Sequence, residues 1–256
     1  MNRTFTIPGM TDHTFMLVSH SISLTFIAMV ATTLFLLINH VRVLPKYRQS
    51  IVVLALVNFI AAYFYWRIFS SLRSAYSSNT KFDESFRYLD WILTVPLLLT
   101  ALVKSLGLPR KKRLELIYRL VPSALTMIIL GYIGEEISGT SNKLVFWSLS
   151  CIPFIFILYV LFIQLTRALD QQISSVVLLV SRVRILVTVT WTVYPIAYLM
   201  PLLDYNGETA FALRQCGYSL ADAAAKCAFS LVIYRLARLN SANDSPEFAE
   251  REGLND

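Results

Sequence analysis

The sequence predicts an all-α membrane protein, a heptahelical transmembrane bundle, on three observations. Hydrophobic residues make up 56% of the chain and charged residues only 15%; ordinary soluble domains carry about a quarter charged residues. The apolar residues cluster in long runs, and at roughly 20 residues per span the 256-residue length suits seven spans with short connections. Basic residues gather in alternate connections, Arg42 to Arg48 and Arg110 to Arg113. Cytoplasmic connections carry such an excess, so the N-terminus is expected outside and the C-terminus in the cytoplasm.

The same observations exclude other classes. A net charge of +7 could suggest nucleic acid, but its distribution over connections is explained by topology. Cys151, Cys216 and Cys227 lie in or beside spans without metal-like spacing, so neither a disulfide framework nor a metal site is expected. Met1 to Asp12 lacks the basic region and short apolar core of a signal peptide. The expected organisation is an extracellular segment 1–12, a membrane domain 13–239 and a polar cytoplasmic tail 240–256 without fixed structure.

The first span is expected from His13 to Arg42, with His20 in its outer half. The second runs from Ser50 to Leu72 and ends in Tyr63-Phe-Tyr65-Trp66-Arg67, an aromatic interfacial belt. The third, Asp83 to Gly107, contains RYLDWILTVPLLL, in which Arg87, Asp90 and Thr94 share one helical face. Pro96 should kink it locally. The fourth runs from Leu114 to Glu135 and closes on GYIGE; the fifth covers Lys143 to Leu169. The sixth, Ser175 to Leu202, carries Trp191, Tyr194 and Tyr198 on one face. The seventh, Glu208 to Leu239, contains SLADAAAKCAF and ends in the basic residues Arg235 and Arg238.

Charges inside spans point to function, because each costs about 2.5–3.5 kcal/mol or more when unpaired. Asp222 and Lys226 are four residues apart, one turn on the same face. Two readings stand: a structural ion pair, or a reactive amine with Asp222 in its counter-charge. Asp90 and Arg87 complete a balanced cluster. The run Ala223 to Ala225 adds little bulk beside the lysine, so another group can approach closely.

These motifs together resemble a microbial rhodopsin: a lysine in the last of seven helices, an aspartate one turn before it, RYLDWILTVPLLL in the third and WTVYP in the sixth. GYIGE and the pattern Tyr194-Pro195…Tyr198 are most similar to the proteorhodopsin branch. The resemblance covers nearly the whole chain. It implies all-trans retinal held on Lys226 as a protonated Schiff base, in a multi-pass protein of the plasma or inner membrane. It implies that Asp90 is the primary counterion and proton acceptor, and Asp222 the second counterion. Arg87 becomes the gate of the outward path, and Thr94 the hydrogen-bond partner of the acceptor. Pocket positions fall on Trp91, Val95, Leu98, Met127, Gly131, Trp147, Ser150, Cys151, Phe154, Trp191, Tyr194 and Tyr198. Tyr63 matches the second-helix tyrosine near the arginine. Leu98, where some relatives carry glutamine, implies green absorption. Trp147, where antenna-binding relatives carry glycine, implies no carotenoid antenna. The resemblance also implies a homo-oligomer, a pentamer or trimer.

Two departures bear on function. The carboxylic proton donor of outward pumps, eleven residues after the acceptor, is Ala101 here. Lys104 is the nearest alternative, although a lysine near a helix end more often snorkels to the interface. The second-helix histidine of proteorhodopsins falls at Ala62, and His20 is a candidate substitute. The leading expectation is a light-driven outward proton pump without a carboxylic donor. The alternatives are a slow-cycling sensory photoreceptor and an inward proton pump. A chloride pump does not suit Asp90, which would repel the anion, and a sodium pump does not suit Thr94.

Overall fold

A computed structural model describes residues 10–78, 80–168, 174–203, 205 and 207–253. It contains seven helices long and apolar enough to cross a membrane: α1 (Asp12–Arg42), α2 (Pro45–Ser78), α3 (Ser85–Ser105), α4 (Arg110–Glu136), α5 (Thr140–Arg167), α6 (Ser174–Leu203) and α7 (Glu208–Asp244). A short helix, α8 (Pro246–Arg251), follows. Among the described residues no strand occurs. The expected spans are all present. Helices α2 and α7, and α4 at its start, run a turn or more past the expected ends, because backbone bonding continues beyond the apolar stretch, whereas α3 is slightly shorter than expected; α2 begins at Pro45, a residue suited to a helical first turn. Leu169, the expected end of the fifth span, lies outside the described residues.

Successive helices pack side by side, and α7 closes the bundle against α1 while also touching α2, α3 and α6. Burial follows this arrangement. Of the apolar window, 56% is buried in α2 and α7 and 50% in α3, against 22% in α4 and 17% in α5. Outward-facing apolar side chains such as Leu24, Ile38, Phe59, Ile152 and Leu220 suit lipid contact. The core around α3 and α7 is therefore where a polar group is shielded most completely. Helix α3 continues through Pro96.

Two further features position the site. The backbone of α7 widens into a π-helical turn over Ala223–Ala228, and this turn carries Lys226. Gly134 admits a close approach: a Cβ there would stand 2.6 Å from the Tyr198 hydroxyl and 2.8 Å from Phe146 Cβ.

The tail differs from expectation. Residues 240–244 continue α7 and α8 follows, capped by the Ser245 hydroxyl, which accepts from Phe248 N–H at 3.2 Å. It is tied to the short α1–α2 connection. Glu252 pairs with Arg42 at 3.1 Å and Arg238 at 3.2 Å, and Tyr47 donates to Asp244 at 2.6 Å. Leu44 N–H donates to Ser241 Oγ at 2.9 Å, and Phe248 is buried. Composition alone reads as unstructured here because the partners are some 200 residues away in sequence, 210 between Arg42 and Glu252.

Candidate functional site

Arg87, Asp90 and Thr94 lie on the inner face of α3, all buried, opposite the buried Asp222 and Lys226 of α7. Lys226 Nζ stands 2.7 Å from Asp222 Oδ1 and 3.0 Å from Asp90 Oδ2. Arg87 Nη1 is 3.9 Å from Asp222 Oδ2. Two cations and two carboxylates thus balance within one buried cluster, which a buried charge requires.

The two carboxylates are held differently. Asp222 Oδ1 accepts from the Tyr194 hydroxyl at 2.6 Å and Trp91 Nε1 at 3.2 Å, besides the lysine; Oδ2 accepts from the Tyr65 hydroxyl at 2.8 Å. Its lone pairs are committed to fixed donors. Asp90 has one charged partner among the described residues, Lys226. Thr94, expected to hydrogen-bond Asp90, donates its hydroxyl to the Asp90 backbone carbonyl at 2.8 Å. This is the local bond a threonine makes one turn back along its own helix.

On the far side of Asp222 from the lysine, Arg87 lies over the Tyr218 ring at 4.8 Å and donates through Nη2 to Gln215 Oε1 at 2.6 Å. Gln215 Nε2 and Arg214 Nη2 both donate to Glu84 Oε1, at 2.5 Å and 2.6 Å. A continuous polar chain therefore links Asp222 to the end of the bundle where α3 begins. Sequence reasoning missed Glu84, Arg214, Gln215 and Tyr218. A signal was available: Gln215 and Asp222 are seven residues apart, two turns on one face of α7.

The tyrosine assignment in α2 is corrected. Tyr65, fully buried, contacts Asp222 and receives Arg87 Nη1 at 3.3 Å. Tyr63 is 47% exposed, and its hydroxyl accepts from Arg67 at 3.1 Å. Two residues along a helix is a rotation of about 200°, so only one of the pair can face the core. The buried series Leu54, Asn58, Ala61, Tyr65, Ile68 and Leu72 marks Tyr65. Replacing Tyr65 with phenylalanine should cost about 1.5–3 kcal/mol, since its hydroxyl bonds two charged groups. Tyr63→Phe should stay within about 0.5 kcal/mol. Thermal denaturation in detergent measures both.

His20 is also displaced from its expected role. It is exposed on α1, on the outer surface of the bundle. Ala62 is buried. Lys104 reaches the surface, donating to Gln49 Oε1 at 3.0 Å, while Ala101 is wholly buried.

A cavity opens beside Lys226. All twelve expected pocket residues line it: Trp91, Val95, Leu98, Met127, Gly131, Trp147, Ser150, Cys151, Phe154, Trp191, Tyr194 and Tyr198. Tyr88, Ile128, Pro195, Tyr218 and Ala225 line it as well. Trp147 Nε1 donates to the Pro195 carbonyl at 3.0 Å and Ser150 to the Met127 carbonyl at 2.8 Å, so the walls contributed by α4, α5 and α6 are fixed to one another. A primary amine ending an apolar, ring-lined cavity suits a long unsaturated aldehyde. The ammonium of Lys226 stands where the nitrogen of such a linkage would lie, between the two carboxylates.

A seven-helix bundle with a lysine buried between two carboxylates at the end of a ring-lined cavity defines a microbial rhodopsin. The chain belongs to the bacteriorhodopsin-like protein family, whose model matches residues 16–240. It is 28% identical to the green-light absorbing proteorhodopsin of Gamma-proteobacterium EBAC31A08 over 217 residues, 84% of each chain. Among solved structures, xanthorhodopsin, a light-driven ion pump with dual chromophore, is 38% identical at a TM-score of 0.89, covering 93% of this chain and 98% of that one. A thermophilic rhodopsin is 34% identical at a TM-score of 0.91, covering 93% and 99%. Members of this family are light-driven ion pumps or photoreceptors rather than enzymes, and the family implies a retinal chromophore. The protein is a multi-pass protein of the cell membrane.

Proposed function

We propose that the protein is a light-driven outward proton pump, with retinal attached to Lys226. The observation that carries this reading is the unequal treatment of the two carboxylates. Asp222 is saturated by fixed donors, whereas Asp90 stands 3.0 Å from the lysine nitrogen, its one charged partner among the described residues. Bound retinal supplies light absorption and an isomerisation that reorients the nitrogen's proton. Asp90 is then the group placed to accept that proton, while Asp222 keeps the lysine's charge balanced.

Direction follows from topology and from the polar chain. The basic connections at Arg42–Lys46 and Arg110–Arg113 lie at one end of the bundle, which the positive-inside rule assigns to the cytoplasm. Glu84 then lies at the outer end. The chain from Asp222 through Arg87 and Gln215 ends on the carboxylate of Glu84, which gives a released proton a place at that outer end. Trp147 fills its part of the cavity wall, which supports a single chromophore. The resemblance further supports a homo-oligomer.

The test is external pH. Cells supplied with retinal should acidify their medium on illumination, and a protonophore should abolish the effect. Alkalinisation would make the protein an inward pump. No change would make it a sensor, the reading favoured by a single feature, the buried Ala101 at the donor position.

A further inference from the structure

A pumping cycle must return a proton to the lysine nitrogen from the cytoplasmic side. Among the described residues no buried carboxylate lies there; Glu115 is at the surface, paired with Arg119. Arg184 of α6 is buried in that half with its guanidinium 5.8 Å from the Phe162 ring centre. An arginine keeps its protons, and its charge repels an incoming one on the α5–α6 side.

Buried polar groups on the opposite side form a series. Ser230 follows Lys226 by four residues, just past the π-helical turn of α7. Asn58 of α2 donates through Nδ2 to Ser230 Oγ and to the Leu54 carbonyl, both at 2.9 Å. Both side chains are fully buried, and Asn58 Oδ1 accepts from no described protein group. Asn58 and Tyr65 are seven residues apart, two turns on one face of α2. Tyr65 thus meets α7 on the outer side of Lys226, and Asn58 meets it on the inner side.

Ser50 lies eight residues before Asn58, about 12 Å nearer the cytoplasm along α2. Among the described residues its buried Oγ has no hydrogen-bond partner, and neither has Ser105 Oγ on α3. Asn240 Nδ2 donates to the Ser105 carbonyl at 2.8 Å. Their sequence neighbours Gln49 and Lys104 meet at the surface. Apolar side chains, among them Ile51, Leu54 and Leu102, fill the core of this half. Unpaired polar atoms are costly in such surroundings unless water completes them.

We infer that reprotonation runs between α2 and α7, with Asn58 and Ser230 as positioning residues that hold the last water before the lysine nitrogen. This rests on the pump reading above, with retinal attached. The water's O–H bond breaks as the N–H bond forms. The hydroxide left behind takes a proton relayed past Ser50 and Ser105, so one cytoplasmic proton is consumed. Lys104 marks the mouth of this route rather than supplying the proton.

Flash photolysis of the retinal-loaded full chain tests it. Asn58→Leu should slow dark-state recovery about tenfold, the equivalent of one lost hydrogen bond. The absorption maximum and the preceding deprotonation phase should not change. Sodium azide, a small weak acid that carries protons, should restore the rate. Asn58→Asp should speed recovery and weaken the azide effect. Ser230→Ala should slow recovery in the same sense, which serves if Asn58→Leu forms no pigment, and Lys104→Met should leave it within twofold. Recovery unchanged in Ser230→Ala and Asn58→Leu, with Lys104→Met slowed, would overturn the inference. Absent acidification alongside a normal deprotonation phase and slowed recovery in Asn58→Leu would overturn the pump alone.

Discussion

Replacing Lys226 with alanine is expected to leave a protein that takes no visible colour from retinal. The lysine is the buried amine of the cavity wall, and alanine offers no nitrogen for attachment. The substitution also removes a cation 2.7 Å and 3.0 Å from two buried carboxylates. Asp222 then keeps Arg87 at 3.9 Å, while Asp90 loses its partner. Leaving one buried charge unpaired costs about 3–5 kcal/mol, so thermal stability should fall. The double variant Lys226→Ala/Asp90→Asn restores the balance and should regain stability but not colour. Absorbance with added retinal, followed through acid denaturation, checks the attachment. A retinal-dependent band surviving denaturation in Lys226→Ala would place the linkage elsewhere.

Asp90→Asn should retain pigment yet lose light-driven acidification by about 100-fold or more, the scale of a missing proton acceptor. Asparagine keeps the shape of the site but cannot take the proton. Asp222 remains, with its donors from Tyr65, Trp91 and Tyr194, to balance the lysine. Asp222→Asn should behave differently. It turns an acceptor of several donors into a group that matches them poorly, so pigment formation itself should suffer. External pH under light, with and without a protonophore, measures the first effect; pigment yield measures the second. Acidification at the unmodified rate in Asp90→Asn would remove that residue from the transfer.

Much of the site was legible because its logic is local. Asp222 and Lys226 share a face by a spacing of four, as do Asp90 and Thr94, and a charge inside an apolar span stands out without any fold. The pocket residues were legible through the family resemblance. Contacts between helices were not. Nothing near Tyr63 or Tyr65 says which one meets Asp222 across 157 residues of sequence. Gln215 gains its meaning from Arg87 and Glu84, and Asn58 from Ser230, 172 residues away. The tail looked unstructured for the same reason, since its partners lie on the α1–α2 connection.

The sequence by itself determined seven spans, a basic end, and a lysine with two carboxylates and an arginine inside the membrane. Hydropathy and helical spacing act within one segment, so they are readable from it. Only the tertiary structure decided that Asp222 accepts from Tyr65, Trp91 and Tyr194 as well as Lys226, while the ion pair of Asp90 is with Lys226. It also decided that Tyr65 faces inward, and that Asn58 and Ser230 meet on the side of the lysine away from Tyr65. Each residue turns a helix by about 100°, so a partner across the bundle depends on how two helices are rotated against each other. That rotation is settled by packing among all seven helices.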